Sequence, residues 1–139
     1  MNIELKSRLG RRFLIELFAA GNLIFLALDI YLAHSYNDFA HEAEWIPFGF
    51  SIVAPILLAP ALVASLRGRR GSPLPGLIVG ATSVLVGLAG LYFHLESHFL
   101  VKGSLVSLVY SAPLAAPLAY CGIGMLLLLN RLKTEAEEW

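Results

Sequence analysis

This sequence has very little cysteine and little charge for its length. Its 139 residues include one cysteine, Cys121, so an intramolecular disulfide cannot form, and thiol oxidoreductases that work through paired cysteines are excluded. Charged residues make up 14% of the chain and hydrophobic residues 58%, with a mean hydropathy of +0.73. Ordinary soluble domains carry about 25% charged residues. The composition therefore predicts an integral membrane protein.

Four apolar segments approach or exceed the length needed to cross a bilayer as helices. They cover residues 13–33, 47–66, 74–95 and 105–129, and a helix needs roughly 20 residues to span about 30 Å of hydrocarbon. The first segment is longer than the apolar part of a signal peptide, so we expect it to be a retained helix. Little sequence remains for a second domain. We predict an all-α, integral membrane four-helix bundle that occupies residues 1–139 as a single domain.

The basic residues lie almost entirely on one side of these segments. Ten basic and ten acidic residues cancel overall, but the basic ones precede the first segment, lie between the second and third segments, and follow the fourth. Lys102 is the only basic residue in the other two connections. By the positive-inside rule, both termini and the second connection are cytoplasmic. We therefore expect a multi-pass protein of the cell membrane, and a bacterial inner membrane is the expected location.

All four histidines lie near the end of the bundle that this topology places outside the cytoplasm. His94 and His98 are four positions apart, so they project from one face of a helix. Asp29 lies inside the first apolar segment, where an ionised carboxylate is costly unless it is paired or ligated. Imidazole and carboxylate groups together suit transition metals. We predict a metal site formed by Asp29, His34, His41, His94 and His98.

A purely structural role for the same residues stays open at this stage. A pair of histidines four positions apart arises easily by chance, and interfacial histidines can be hydrogen-bonded by water or lipid headgroups. Asp29 has candidate hydrogen-bonding partners in the fourth segment, which are Ser107, Tyr110 and Ser111. The carboxylates near the histidines are expected to be solvated: Glu42, Glu44 and Glu96.

The connection of residues 34–46 is too polar to lie in hydrocarbon and has two candidate conformations. It either continues the first helix, or breaks near Asn37 and restarts with Asp38 as an N-cap. In the second conformation, Phe39, Ala43 and Trp45 would rest on the membrane surface, where tryptophan is favoured.

Prolines predict bends in two of the four helices. The second segment contains Pro55 and Pro60, and the fourth contains Pro113 and Pro117. An interior proline removes a backbone donor and pushes against the preceding turn, so we predict kinks in helices 2 and 4. Pro47 differs, because it can lie in the first turn of its helix at no cost.

Small residues follow one side of the third segment. They include Gly76 and Gly80, Ser83 and Gly87, and then Gly90. Such spacing lets helix backbones approach closely within lipid. We expect these glycines to serve packing, and the same helix is a candidate contact for a second copy of the chain or for another membrane protein.

Glu16 is a second acidic residue within an apolar segment. It lies one turn after Arg12 at the cytoplasmic end of the first helix. An ion pair between residues i and i+4 explains it without a function. An ion or proton pathway is the alternative.

The leading functional hypothesis is a metal-binding membrane protein that is a candidate metalloenzyme. Zinc or iron is preferred because the sulfur-containing residues that copper(I) favours lie away from the histidines, whereas copper(II) stays open. In an enzyme, the metal would activate water or dioxygen against a lipid-like substrate, in the manner of a hydrolase or an oxidoreductase. Asp29 or Tyr110 would then transfer protons.

Two other classes of function are compatible with the sequence. One is a haem-binding electron-transfer protein, with one axial histidine from the first connection and one from the third helix. The other is a non-catalytic protein, which includes a small transporter, a metal-delivery protein and an accessory subunit. The lipid bilayer is an expected partner in every case, and no nucleic-acid partner is expected.

Overall fold

The computed structural model describes the backbone of residues 10–36, 38–69, 71–96 and 114–136, with side chains up to Asn130. All regular structure in these ranges is helical, which confirms the predicted all-α class. Four helices follow in chain order: α1 (Arg11–Ser35), α2 (Trp45–Leu66), α3 (Leu74–His94) and α4 (Ala115–Ala136). A short 3₁₀ turn, Glu42–Glu44, leads directly into α2.

Three stretches of helix in the described part of the chain are long and apolar enough to cross a membrane. They are Arg11–Ser35, Glu42–Leu66, which includes the 3₁₀ turn, and Leu74–His94. The apolar part of α4, Ala115–Asn130, is shorter. Large apolar side chains on the outside of the bundle, such as Ile56 and Leu85, are exposed. Length and composition thus define a helical membrane protein.

The described fourth helix covers the later part of the predicted fourth segment. The chain bends at Leu114 and α4 starts at Ala115, whereas residue 105 was the expected start. Pro117 consequently lies in the first turn, where its missing N–H interrupts no interior hydrogen bond. The expected beginning of this segment, with Pro113, lies outside the described residues. Pro55 and Pro60 lie inside α2, and the kink that they predict stays a prediction.

A tight reversal joins α1 to α2: the first helix breaks, as the second expected conformation predicts, but the chain does not restart with Asp38 as an N-cap. The helix ends at Ser35, and Asp38 and Phe39 follow with left-handed φ angles of 56° and 52°. The N–H of Phe39 donates to the carbonyl of His34 at 3.0 Å, and that of Asp38 donates to Ser35 at 3.3 Å. These bonds satisfy carbonyls that the end of α1 would otherwise leave unpaired. Asp38 therefore belongs to the turn and is not a helix N-cap.

An aromatic cluster holds this reversal in place. Phe39 stacks on Trp45 with ring centroids 4.1 Å apart, and Phe48 lies 6.0 Å from Phe39 and 5.9 Å from Tyr31. Left-handed φ angles are uncommon for residues with a Cβ. Stacking by the bulky ring of Phe39 stabilises the conformation. We call these four residues the aromatic cluster, and the end of the bundle where they lie the outer end.

Each helix packs mainly against two neighbours, so the four helices form a closed bundle: α1 contacts α2 and α4, and α3 also contacts α2 and α4. The core between them is apolar and includes Leu23, Leu58, Val79 and Leu127, all fully buried. Burial of these side chains fixes which face of each helix points inward.

The small residues of α3 pack against α4 of the same chain. A Cβ added at Gly87 would lie 2.6 Å from the Sγ of Cys121, and one added at Gly124 would lie 2.6 Å from the carbonyl oxygen of Gly80. The backbones of α3 and α4 therefore come closer than any larger residue would allow. A partner that used this face of α3 would have to displace α4, and the predicted contact with another protein stays untested.

Candidate functional site

The outer end of the bundle brings together a histidine and a carboxylate that are ten positions apart in sequence. His34 lies in the last turn of α1, and its Nδ1 is 3.2 Å from Oε2 of Glu44 in the 3₁₀ turn. The two side chains are 22% and 14% exposed. The Phe39 ring lies 5.9 Å from the imidazole ring. The pair is a close contact of the imidazole with the carboxylate, and Oε2 of Glu44 accepts no hydrogen bond from any described residue.

Glu44 was expected to be solvated, and this expectation was wrong. The tight reversal turns the chain back over the end of α1, so the 3₁₀ turn places Glu44 against His34. Glu42 begins the same turn but is exposed. Spacing along the chain cannot distinguish these two acids, because the left-handed residues of the turn decide which one points inward.

The other histidines of the predicted metal site lie in different surroundings. His41 is exposed, and its carbonyl accepts the N–H of Glu44 at 3.0 Å, which starts the 3₁₀ turn. His94 is half-buried at the last position of α3. His98 lies outside the described residues.

The described residues do not by themselves assemble a metal centre. Among residues 10–36, 38–69, 71–96 and 114–130, no three side chains of histidine, cysteine, aspartate or glutamate lie together in a way that could hold a metal ion. Four of the five predicted ligands fall in these ranges, so Asp29, His34, His41 and His94 would need a further ligand or a rearrangement. The predicted five-residue site stays a prediction.

Asp29 lies on an exposed part of α1, about 9 Å below the outer end of that helix. It lines an open groove of about 400 Å³ between α1 and Ala119 of α4. Asn22, two turns earlier on α1, is the other polar residue of this groove, whose remaining lining is apolar. Asp29 makes no hydrogen bond or ion pair with any described residue. The partners expected from the fourth segment, among them Tyr110, lie outside the described residues.

A buried polar cluster that the sequence did not predict joins three helices around Tyr120. The Tyr120 hydroxyl donates to the carbonyl of Pro47 at 3.0 Å and also hydrogen-bonds to the hydroxyl of Ser51. Ser83 of α3 donates to the Tyr120 carbonyl at 2.8 Å. All three side chains are buried. Mutual hydrogen bonding accounts for their burial, so the cluster has a structural role.

The predicted ion pair at the opposite end of the bundle is confirmed. Arg12 Nε lies 3.2 Å from Oε1 of Glu16, which is fully buried. Arg12 Nη2 also donates to the carbonyls of Gly71 and Ser72 at 3.0 and 2.9 Å. The guanidinium therefore attaches the start of α1 to the connection between α2 and α3. These backbone acceptors could not be predicted from the sequence, because their position depends on how the helices pack.

Fold and composition together define the class, a small helical membrane protein with polar groups at its outer end and in one groove. Comparison of the chain with protein-family models, with curated proteins and with solved structures gave no match. Its function is therefore inferred from its own residues.

Proposed function

We propose that this chain binds a transition-metal ion near the extracytoplasmic end of its bundle, with His34 as one ligand. The observation that carries the proposal is the approach of Glu44 to Nδ1 of His34 at 3.2 Å. Histidines that ligate metals usually give their second ring nitrogen to a carboxylate or carbonyl, which fixes the ring and raises its basicity. Glu44 lies on the Nδ1 side of the imidazole ring, which leaves Nε2 as the nitrogen for a metal.

The remaining ligands are proposed from the sequence. His41 lies three positions before Glu44, and His94 lies at the same end of the bundle because α3 runs in the same direction as α1. His98, three residues after the third apolar segment, is the predicted further imidazole. Neutral imidazoles suit zinc, iron and copper, and zinc or iron is proposed first because the sulfur-containing residues lie elsewhere.

A catalytic role is a further step of the same proposal. A metal at this end would activate water or dioxygen against a lipid-like substrate in the bilayer. The proton-transfer roles of Asp29 and Tyr110 stay predictions, as does Asp29 as a metal ligand.

The test is metal analysis of the full chain purified without a histidine tag, before and after equilibration with zinc or ferrous iron. We expect at least one ion per chain. Glu44→Gln should weaken binding about 10- to 100-fold by removing the carboxylate that orients His34, and His34→Ala should weaken it further. Glu42→Gln is the matched control, because Glu42 is exposed on the same turn, and it should bind like the wild type.

Substoichiometric metal in the wild type after equilibration with each ion would contradict the proposal. Equal affinities of Glu44→Gln and Glu42→Gln would also contradict it. The same purified protein tests the haem alternative, which requires a Soret band on addition of haemin. Uptake into proteoliposomes tests the transporter alternative.

A further inference from the structure

The exposed face of α1 carries a regular stripe of residues separated by alternate steps of four and three. The stripe consists of Phe18, Asn22, Phe25, Asp29 and Leu32. Phe18, Phe25 and Leu32 are 56%, 75% and 62% exposed. Alternation of four and three is the spacing by which one helix packs against another in a left-handed coiled coil. The α1 stripe thus has the pattern of a helix interface, although Phe18, Phe25, Asp29 and Leu32 are exposed within the bundle.

Two polar residues interrupt this apolar stripe, about two helical turns apart. Asn22 and Asp29 are seven residues apart and both line the groove beside Ala119. The Asn22 side-chain amide donates to the Phe18 carbonyl at 2.8 Å, and Asp29 makes no hydrogen bond or ion pair with any described residue. A carboxylate exposed on a membrane-spanning helix is costly in lipid and usually has a partner.

The charge and the depth of Asp29 indicate what kind of partner would fit. Two copies of the chain insert with the same orientation, so pairing two α1 stripes would place Asp29 against Asp29 at one depth. Like charges repel strongly in a medium of low dielectric constant. The basic residues described on α1 and after α2, Arg11, Arg12, Arg67 and Arg69, lie at the end of the bundle opposite Asp29, and Lys102, the one basic residue of the connections at the Asp29 end, lies outside the described residues. A second copy therefore offers no complementary charge from these residues.

We propose that the α1 stripe is the docking surface for a transmembrane helix of a different membrane protein, which places a lysine or arginine against Asp29. The apolar residues of the stripe would pack against that helix, and Asn22 would offer its side-chain oxygen one layer deeper. In this complex, the basic side chain neutralises Asp29 and removes the cost of exposing a carboxylate to lipid. The proposal goes beyond metal binding through His34 and does not depend on it, and it gives Asp29 a role as a charge partner in place of its predicted role as a metal ligand.

The test uses synthetic leucine-alanine transmembrane peptides and the full chain in phosphatidylcholine vesicles. One peptide carries a single lysine about 9 Å below the outer end of its helix, and a second carries leucine there. Energy transfer between labelled chain and labelled peptide measures binding. We expect the lysine peptide to bind the wild type about three- to twentyfold more tightly than the leucine peptide.

Three variants make the test specific. Asp29→Asn should remove most of the preference for the lysine peptide, and Asp29→Lys should transfer the preference to a peptide with aspartate at that depth. Ile24→Ala is the matched control, because Ile24 is exposed on α1 outside the stripe, and it should keep the preference of the wild type.

Equal binding of the lysine and leucine peptides by the wild type would overturn the proposal. So would energy transfer between two labelled copies of the chain that Phe25→Ala abolishes, because the stripe would then be an interface between copies.

Discussion

Tyr120 illustrates how one buried residue can join three helices. Its hydroxyl contacts the Pro47 carbonyl and the Ser51 hydroxyl of α2, while its own carbonyl accepts a hydrogen bond from Ser83 of α3. A tyrosine in an apolar segment would otherwise be expected to reach the membrane interface, where its hydroxyl is hydrated. Here the polar atoms of two neighbouring helices replace water.

Replacement of Tyr120 by phenylalanine should destabilise the bundle by about 1–3 kcal/mol, because it leaves the Ser51 hydroxyl with one partner fewer in the core. Tyr92→Phe is the control, since Tyr92 is an exposed tyrosine on α3. Unfolding in detergent micelles measures the difference. If both variants unfold together with the wild type, the Tyr120 hydroxyl contributes nothing to stability.

At the scale of helices, the contact between α3 and α4 is the most extensive among the described residues and depends on glycine at defined positions. Gly124 faces the backbone of α3, and a Cβ there would lie 2.6 Å from the Gly80 carbonyl oxygen and 2.8 Å from the backbone nitrogen of Val84. Gly122, two positions earlier on α4, has no atom within 4 Å of an added Cβ. The two glycines thus differ in packing but share a helix.

Because only Gly124 is tightly packed, replacement of each glycine by alanine should affect stability differently. Gly124→Ala should destabilise the protein by about 1–3 kcal/mol, because α3 and α4 must move apart. Gly122→Ala should leave stability unchanged or raise it by up to about 1 kcal/mol, since alanine is the better helix former. Thermal unfolding of both variants in one detergent checks the prediction, and equal midpoints would contradict the close packing of α3 on α4.

On the scale of the whole molecule, the charge distribution predicts the orientation in the membrane. Basic residues gather beside Ser72 in the connection between α2 and α3, whereas the reversal between α1 and α2 is acidic. We expect Glu42→Cys to react with a membrane-impermeant maleimide in intact cells, and Ser72→Cys to react only after permeabilisation. Both positions are exposed. The background is Cys121→Ser, and the reverse labelling pattern would invert the topology.

The sequence alone predicted the helices better than the contacts between them. The first three apolar segments match α1, α2 and α3 to within two residues at each end, because a long apolar run is a local property. The pair of Arg12 and Glu16 was predictable for the same reason, since one helical turn separates them. The bend at Leu114 was not, because the sequence on both sides of it is apolar.

The candidate site also has features that the sequence predicts and features that depend on how the helices pack. The sequence determined that this is a helical, predominantly apolar chain whose histidines lie near one end, because composition and helical period are carried by neighbouring residues. Only the tertiary structure decided that Glu44 lies beside His34, that Tyr120 is buried and that Asp29 faces an open groove. Lipid and protein core are both apolar, so hydrophobicity cannot tell an outward face from an inward one. That choice depends on where small residues let helices meet and on how the turns direct the chain.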